Sequence, residues 1–174
     1  MRRDPLAAPE ELIRRVYAYV AYRIGDGVEA EDVTSDVFEQ AIRSRDSYDP
    51  RRGAPISWLI GIARHRVART LANRPDPTAE LPDTEALFDL EAKALERLTL
   101  ARALATLGER DRQLIALRYG ADLRVRQIAV LLELKTNAVE VALHRALGRL
   151  RAALEADIEP EERSARVSLA GTPL

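Results

Sequence analysis

The apolar positions along the chain recur at intervals of three and four residues. Leu12, Ile13, Val16, Val20 and Ile24 put one apolar stripe on a helix over 9–24, and Gly25-Asp26-Gly27 ends it. Val33, Val37, Phe38, Ala41 and Ile42 predict a second helix over 30–43, with Glu31, Asp32, Ser35, Asp36 and Glu39 on its opposite face. A loop from Asp49 leads to Pro55, which suits the first turn of a third helix reaching Asn73. That helix turns Ile56, Leu59, Ile60, Ala63 and Val67 inward. Further helices are predicted over 85–107, 111–119, 124–134 and 136–154, with Gly108 breaking the first from the second. No segment alternates with period two long enough to form a strand. The expected fold is all-α, in two small helical domains of three or four helices each.

The boundary between them is marked by Pro75, Pro77 and Pro82 within an acidic stretch. Such a stretch reads as an extended linker. The expected domains are therefore 1–75 and 97–155, joined by an acidic, proline-containing linker over 76–96. A tail over 156–174 contains Pro160, Gly171 and Pro173, has no periodic apolar face, and is expected to be flexible.

Charge changes the picture more than overall composition does. The 174 residues carry a formal net charge of −1, which taken alone argues against a polyanionic partner. Counted by segment, the charge is −4 over 1–42, +6 over 43–75, −6 over 76–96, +5 over 97–155 and −2 over the tail. Neutrality is a cancellation, and two basic segments flank an acidic one. Of the 27 basic residues only Lys93 and Lys135 are lysine; the rest are arginine, whose planar fork suits phosphate and base edges.

Several function classes drop out. With no cysteine there is no disulfide framework, thiolate zinc site or cysteine nucleophile. His65 and His144 have no metal-ligand spacing. No nucleophile–base pair or glycine-rich phosphate loop stands out, so no catalytic residue, metal or cofactor is expected. Asp4-Pro5 follows Met1-Arg2-Arg3 where a signal peptide needs an apolar run, and no run reaches membrane-spanning length. A cytoplasmic protein without a membrane partner is expected.

The most informative stretch is Gln127 to Val139, which has the shape of a helix-turn-helix. The small Ala129 sits where two helices approach closely, Val139 anchors the second helix, and Leu132 and Leu143 close the wedge. Thr136 or Asn137 can cap that helix. Its first turns would enter a major groove, with exposed amides near phosphate. The turn position is usually glycine; here it is Glu133, at a cost of about 1 kcal/mol if left-handed.

Taken together with two further groups of residues, this motif makes the chain resemble an extracytoplasmic-function sigma factor of bacterial RNA polymerase, the minimal two-domain class of the sigma-70 family. In the first half the resemblance rests on Ala30 to Phe38, on Asp46-Ser47-Tyr48 and on Trp58 to Arg64. In the second it rests on Leu107 to Tyr119, Ile128-Ala129 and Leu143 to Arg151. The resemblance implies a factor that binds core polymerase and directs it to promoters, recognising −35 and −10 elements.

It also implies sites. The acidic stripe of Asp32, Ser35, Asp36 and Glu39 would dock on the clamp helices of the polymerase's largest subunit, physically a match of acid to base. The segment 44–54 would hold a base flipped from the −10 strand, where Tyr48 offers a stacking face, Arg51 and Arg52 phosphate contacts, and Gly53 close approach. Arg64, His65, Arg66 and Arg69 would face the same DNA. Trp58 and Phe38 are expected in the core. In the −35 reader, Asn137, Glu140, Val141, His144 and Arg145 would face the groove, with Arg126, Arg145 and Arg149 on the backbone. An anti-sigma factor is a further partner such a protein can have. The alternative is a stand-alone helix-turn-helix regulator acting without polymerase, which leaves the basic segment 43–75 unexplained.

Overall fold

The computed structural model describes residues 4–74 and 91–169. It contains seven α-helices and, among the described residues, no strand. Three form the first half: α1 (Pro9–Ile24), α2 (Val28–Arg43) and α3 (Pro55–Ala72). Four form the second: α4 (Glu91–Thr106), α5 (Glu109–Ile115), α6 (Val125–Leu132) and α7 (Thr136–Leu169). Most of the linker expected over 76–96 lies outside the described residues, which resume where α4 begins.

The local chemistry of the elements matches their ends. α1 starts on Pro9 with Glu10 and Glu11 in its first turn, complementing the helix dipole, and stops at Gly25, whose φ of 97° suits glycine. α3 also begins on proline, and all five of its expected inward residues are buried.

Two expectations about facing are corrected. Ile13 is 45% exposed and Ile42 63% exposed, so neither joins the stripe its spacing suggested. On α1 the buried set instead includes Tyr19 and Arg23 beside Leu12, Val16, Val20 and Ile24. The helix is therefore covered on two sides: α2 and α3 take one, and the second half of the chain takes the other.

α5 is shorter than the 111–119 pattern predicts. After Ile115 the chain loosens into a π turn over Ala116–Gly120, where the Ala121 amide reaches back to the Ala116 carbonyl at 2.9 Å. This widened turn lies directly on α1. A Cβ at Gly120 would stand 2.9 Å from the Ala18 carbonyl and from the Tyr19 backbone, so only glycine permits the approach. One continuous core consequently runs from Val16, Val37 and Leu59 to Leu117, Leu123, Ile128 and Val139. A smaller cluster of Ala103, Leu104, Leu107, Ala146 and Leu150 packs α4 on α7.

The helix-turn-helix forms as expected. Ala129 and Val139 are buried, Leu143 is 6% exposed, and Glu133 adopts the left-handed conformation at φ 56°, ψ 40°. The Leu134 amide donates to the Ala129 carbonyl at 2.9 Å, closing the end of α6. α7 starts at Thr136, too early for Thr136 or Asn137 to cap it: the Lys135 carbonyl accepts the first helical bond from Val139, and both residues lie in the first turn. At its other end α7 continues to Leu169 rather than stopping near Leu154, so the tail expected to be flexible is helical over most of its length.

Candidate functional site

On α2, Asp32, Ser35, Asp36 and Glu39 are all exposed and share one face. Their spacing of three, one and three places them in a single acidic stripe. Two of the acids meet nearby cations: Asp36 lies 3.7 Å from the Arg66 guanidinium of α3, and Glu39 pairs with Arg43 one turn on. Exposed pairs of this kind hold side chains loosely and leave the carboxylates available to a competing cation.

The loop between α2 and α3 is shaped by Tyr48. Its hydroxyl donates to the Gly53 carbonyl at 3.0 Å, and its ring stands 5.5 Å from that of Trp58, tilted by 53°. Partial burial, and then the neighbouring Asp49 carboxylate, raise its hydroxyl above the ordinary 10.0, so the ring stays a neutral donor. Trp58 and Phe38 pack against the core as expected. Arg52 is exposed, and Arg51 is exposed while its guanidinium touches Asp49 at 3.2 and 3.3 Å.

The four residues expected to face the same DNA from α3 divide into two pairs. His65 and Arg69 are exposed. Arg66 is held against α2 by Asp36 and by the Gln40 side chain at 3.4 Å. Arg64 turns toward the second half of the chain, donating to the Leu131 carbonyl of α6 at 2.9 Å.

In the second half, Asn137, Glu140, Val141, His144 and Arg145 of α7 are all exposed, as are Arg126 on α6 and Arg149 on α7. A groove of about 540 Å³ opens between α5 and α7. Asn137, Val141, Arg145 and Arg149 line it; Glu140, His144 and Arg126 do not. Arg149 is fixed there by Asp111 at 2.5 Å. Sequence reasoning missed two cations of this groove, Arg110 and Lys135. Lys135 could have been found, because it immediately precedes the recognition helix. Arg110 could not, since its place depends on how α5 packs against α7.

These surfaces fall within two segments that have known counterparts. Residues 10–74 match the family model described as Sigma-70 region 2, and residues 97–150 match Sigma-70, region 4. The ECF RNA polymerase sigma factor SigD of Mycobacterium tuberculosis (strain ATCC 25618 / H37Rv) is 31% identical over 162 residues, covering 86% of this chain and 76% of SigD. The chain belongs to the ECF sigma factor family.

As a sigma factor it binds core RNA polymerase and directs promoter-specific transcription. The stand-alone regulator is set aside, because region 2 accounts for the basic segment that such a regulator left unexplained. SigK of Mycobacterium ulcerans (strain Agy99) is 27% identical over 151 residues, covering 82% of this chain and 81% of SigK. Among solved structures, the sigma factor RpoE of Bartonella quintana, in complex with the anti-sigma factor NepR, shares the fold at a TM-score of 0.63. That likeness covers 84% of this chain and 93% of RpoE at 18% identity. Among the described residues no helix is long and apolar enough to cross a membrane.

Proposed function

We propose that three surfaces divide the work of this sigma factor. The stripe of Asp32, Ser35, Asp36 and Glu39 docks on the clamp helices of the largest polymerase subunit. The loop carrying Tyr48, Arg51 and Arg52, with His65, Arg66, Arg69 and Arg64 on α3, takes the melted −10 strand. The first turns of α7 read the −35 element, with Asn137, Glu140, Val141, His144 and Arg145 toward the bases and Arg126 and Arg149 toward phosphate. The chain performs no covalent chemistry of its own and works in the cytoplasm, where core polymerase is. An anti-sigma factor belongs to the same proposal, on the likeness to RpoE held by NepR.

The observation that carries the reading is the cationic groove beside the recognition helix. Lys135, Arg145, Arg149 and Arg110 surround it against the single acid Asp111. Lys135 just before α7, Arg145 and Arg149 one turn apart further along it and Arg110 on α5 line one groove, an arrangement suited to successive phosphates, and Asn137 in the same lining can read a base edge. Mixing the chain with core polymerase, followed by size exclusion and run-off transcription from a promoter library, tests the whole. Co-elution and discrete start sites are expected; failure to co-elute with core sinks the assignment of the α2 stripe.

A further inference from the structure

We propose that the turn at 4–8, ahead of α1, positions the loop that takes the −10 strand: Asp4 holds Arg45 at the start of that loop and keeps it in the shape that receives a base. The inference rests on the assignment of 44–54 to the −10 element. The turn itself lies outside the segment matched to region 2, which begins at residue 10.

The turn is stiff for reasons its sequence makes plain. Pro5 fixes its own φ and favours extended backbone at Asp4 before it. Pro5 is buried, and Leu6 packs against the core. One Asp4 carboxylate oxygen accepts the Leu6 amide at 3.0 Å, and the Asp4 carbonyl accepts the Ala7 amide at 3.3 Å. The Ala8 carbonyl takes a helical bond from Leu12, so the turn runs directly into α1. The other Asp4 carboxylate oxygen stands 3.1 Å from the Arg45 guanidinium. One side chain thus shapes its own turn and reaches across to a second element.

Arg45 opens a 3-10 turn, Arg45–Ser47, and its carbonyl accepts the Tyr48 amide at 3.3 Å. Tyr48 then ties the far end of the loop through the Gly53 carbonyl and the Trp58 ring. Neighbouring bonds close the loop on itself or on α2. The Ser47 amide and hydroxyl reach the Ser44 carbonyl at 2.9 and 2.6 Å, and the Ser44 hydroxyl reaches the Gln40 carbonyl at 2.7 Å. Asp4 adds a tie from the side of α1, and it lands on the residue that holds the Tyr48 backbone. A loop already in its binding shape loses less conformational entropy when a flipped base enters. The two side chains are 43% and 55% exposed, so the effect is modest and sensitive to salt.

The test uses core polymerase loaded with the full chain, on a promoter recovered from the run-off library. Asp4→Asn keeps an oxygen for the Leu6 amide and removes the charge that holds Arg45. At low salt it should open the −10 region about threefold less, read by permanganate, with core affinity and melting temperature little changed. That deficit should shrink as salt rises toward the limit of promoter binding, because screening takes the pair from the wild type too. A role confined to folding would move the melting temperature instead. Arg45→Gln should match Asp4→Asn, and the double variant should be no worse than either alone. Opening at or above the wild-type level in Asp4→Asn overturns the proposal, as do losses that add in the double variant. Tyr48→Ala tests the underlying assignment separately. A defect in Tyr48→Ala beside normal opening in Asp4→Asn overturns the positioning role alone. Normal opening in Tyr48→Ala overturns the loop assignment and the positioning role with it.

Discussion

The Arg66 guanidinium of α3 stands 3.7 Å from the Asp36 carboxylate of α2, so a cation proposed for the −10 strand and an acid proposed for polymerase hold one another. Asp36 is more than half exposed and Arg66 about a third, which puts the pair in the range of about 0–1 kcal/mol. Either partner can leave for a stronger one when polymerase or DNA arrives. Reversing Asp36 therefore disturbs two surfaces at once, whereas Asp32 sits on the same stripe without that complication. Asp32→Arg should weaken core binding at least about tenfold while changing the unfolding free energy by less than about 0.5 kcal/mol. Competition for core polymerase, read beside thermal unfolding, checks this. Unaltered affinity in Asp32→Arg would remove the stripe from the polymerase interface.

The same pair separates the roles of two arginines. Arg69 is exposed, and Arg66 is tethered to Asp36 and Gln40. Arg69→Ala should therefore reduce open-complex formation on its own, and Arg66→Ala/Arg69→Ala should reduce it further, while core affinity stays within about twofold. Permanganate footprinting of the −10 region measures the opening. Equal loss of core binding would move these arginines to the polymerase side.

How much of this was legible beforehand follows from what each feature depends on. The helices, the acidic stripe of Asp32 to Glu39 and the turn at Glu133 are local, set by spacing and by one or two neighbours, and their residues could be named from the chain. Ile13 and Ile42 were misplaced because an apolar residue at helical spacing need not find a partner. Tyr19 and Arg23 were missed for the opposite reason: they are buried by the π turn and α5, elements nearly 100 residues away that no periodicity within α1 can reveal. The same holds for Arg64, expected from the resemblance to face the same DNA as Arg66 and Arg69, but whose partner is the Leu131 carbonyl.

Glu133 gives a stability test of the turn. Its φ of 56° places a Cβ where the left-handed conformation crowds it, and glycine removes that crowding. Glu133→Gly should raise the unfolding free energy by about 0.5–1 kcal/mol, with DNA affinity little changed because the side chain points to solvent. Urea unfolding monitored by circular dichroism reads the shift. A destabilised variant would mean that the glutamate stabilises the turn by more than its backbone costs.

Alkaline pH probes the tyrosines of α1, of which Tyr19 is buried and Tyr17 and Tyr22 are partly so. Burial raises Tyr19, Tyr22 and Tyr17 above the ordinary 10.0; Arg23 partly offsets this at Tyr19, and the Asp26 carboxylate adds to it at Tyr17. A group that binds its proton more tightly when folded contributes stability that is full below its unfolded value and is lost as pH rises through the folded one. The melting temperature should thus hold steady to about pH 9 and fall above pH 10. Absorbance at 295 nm should show these rings ionising together with the loss of helix. Their ionisation in a still-folded chain would contradict the burial of α1 on its second side.

The groove beside α7 yields the last prediction, on salt. Each cation that neutralises a phosphate releases condensed counterions, so its removal lowers the slope of log affinity against log salt by about one. Lys135 and Arg145 line the groove and are exposed, whereas Arg149 is fixed by Asp111 and delivers its charge from a held position. Lys135→Ala and Arg145→Ala should each reduce that slope by about one unit for the polymerase holoenzyme on a −35 duplex. Asp111→Ala should release Arg149 and lower affinity with little change of slope, since the charge remains but its geometry does not. Glu140→Ala should do the reverse of the cation variants, strengthening binding to mixed sequence and relaxing any preference for cytosine that the carboxylate imposes through the base's amino group. If Lys135→Ala leaves the slope untouched, the groove does not hold phosphate, and the backbone contacts must be sought on the face of Arg126 instead.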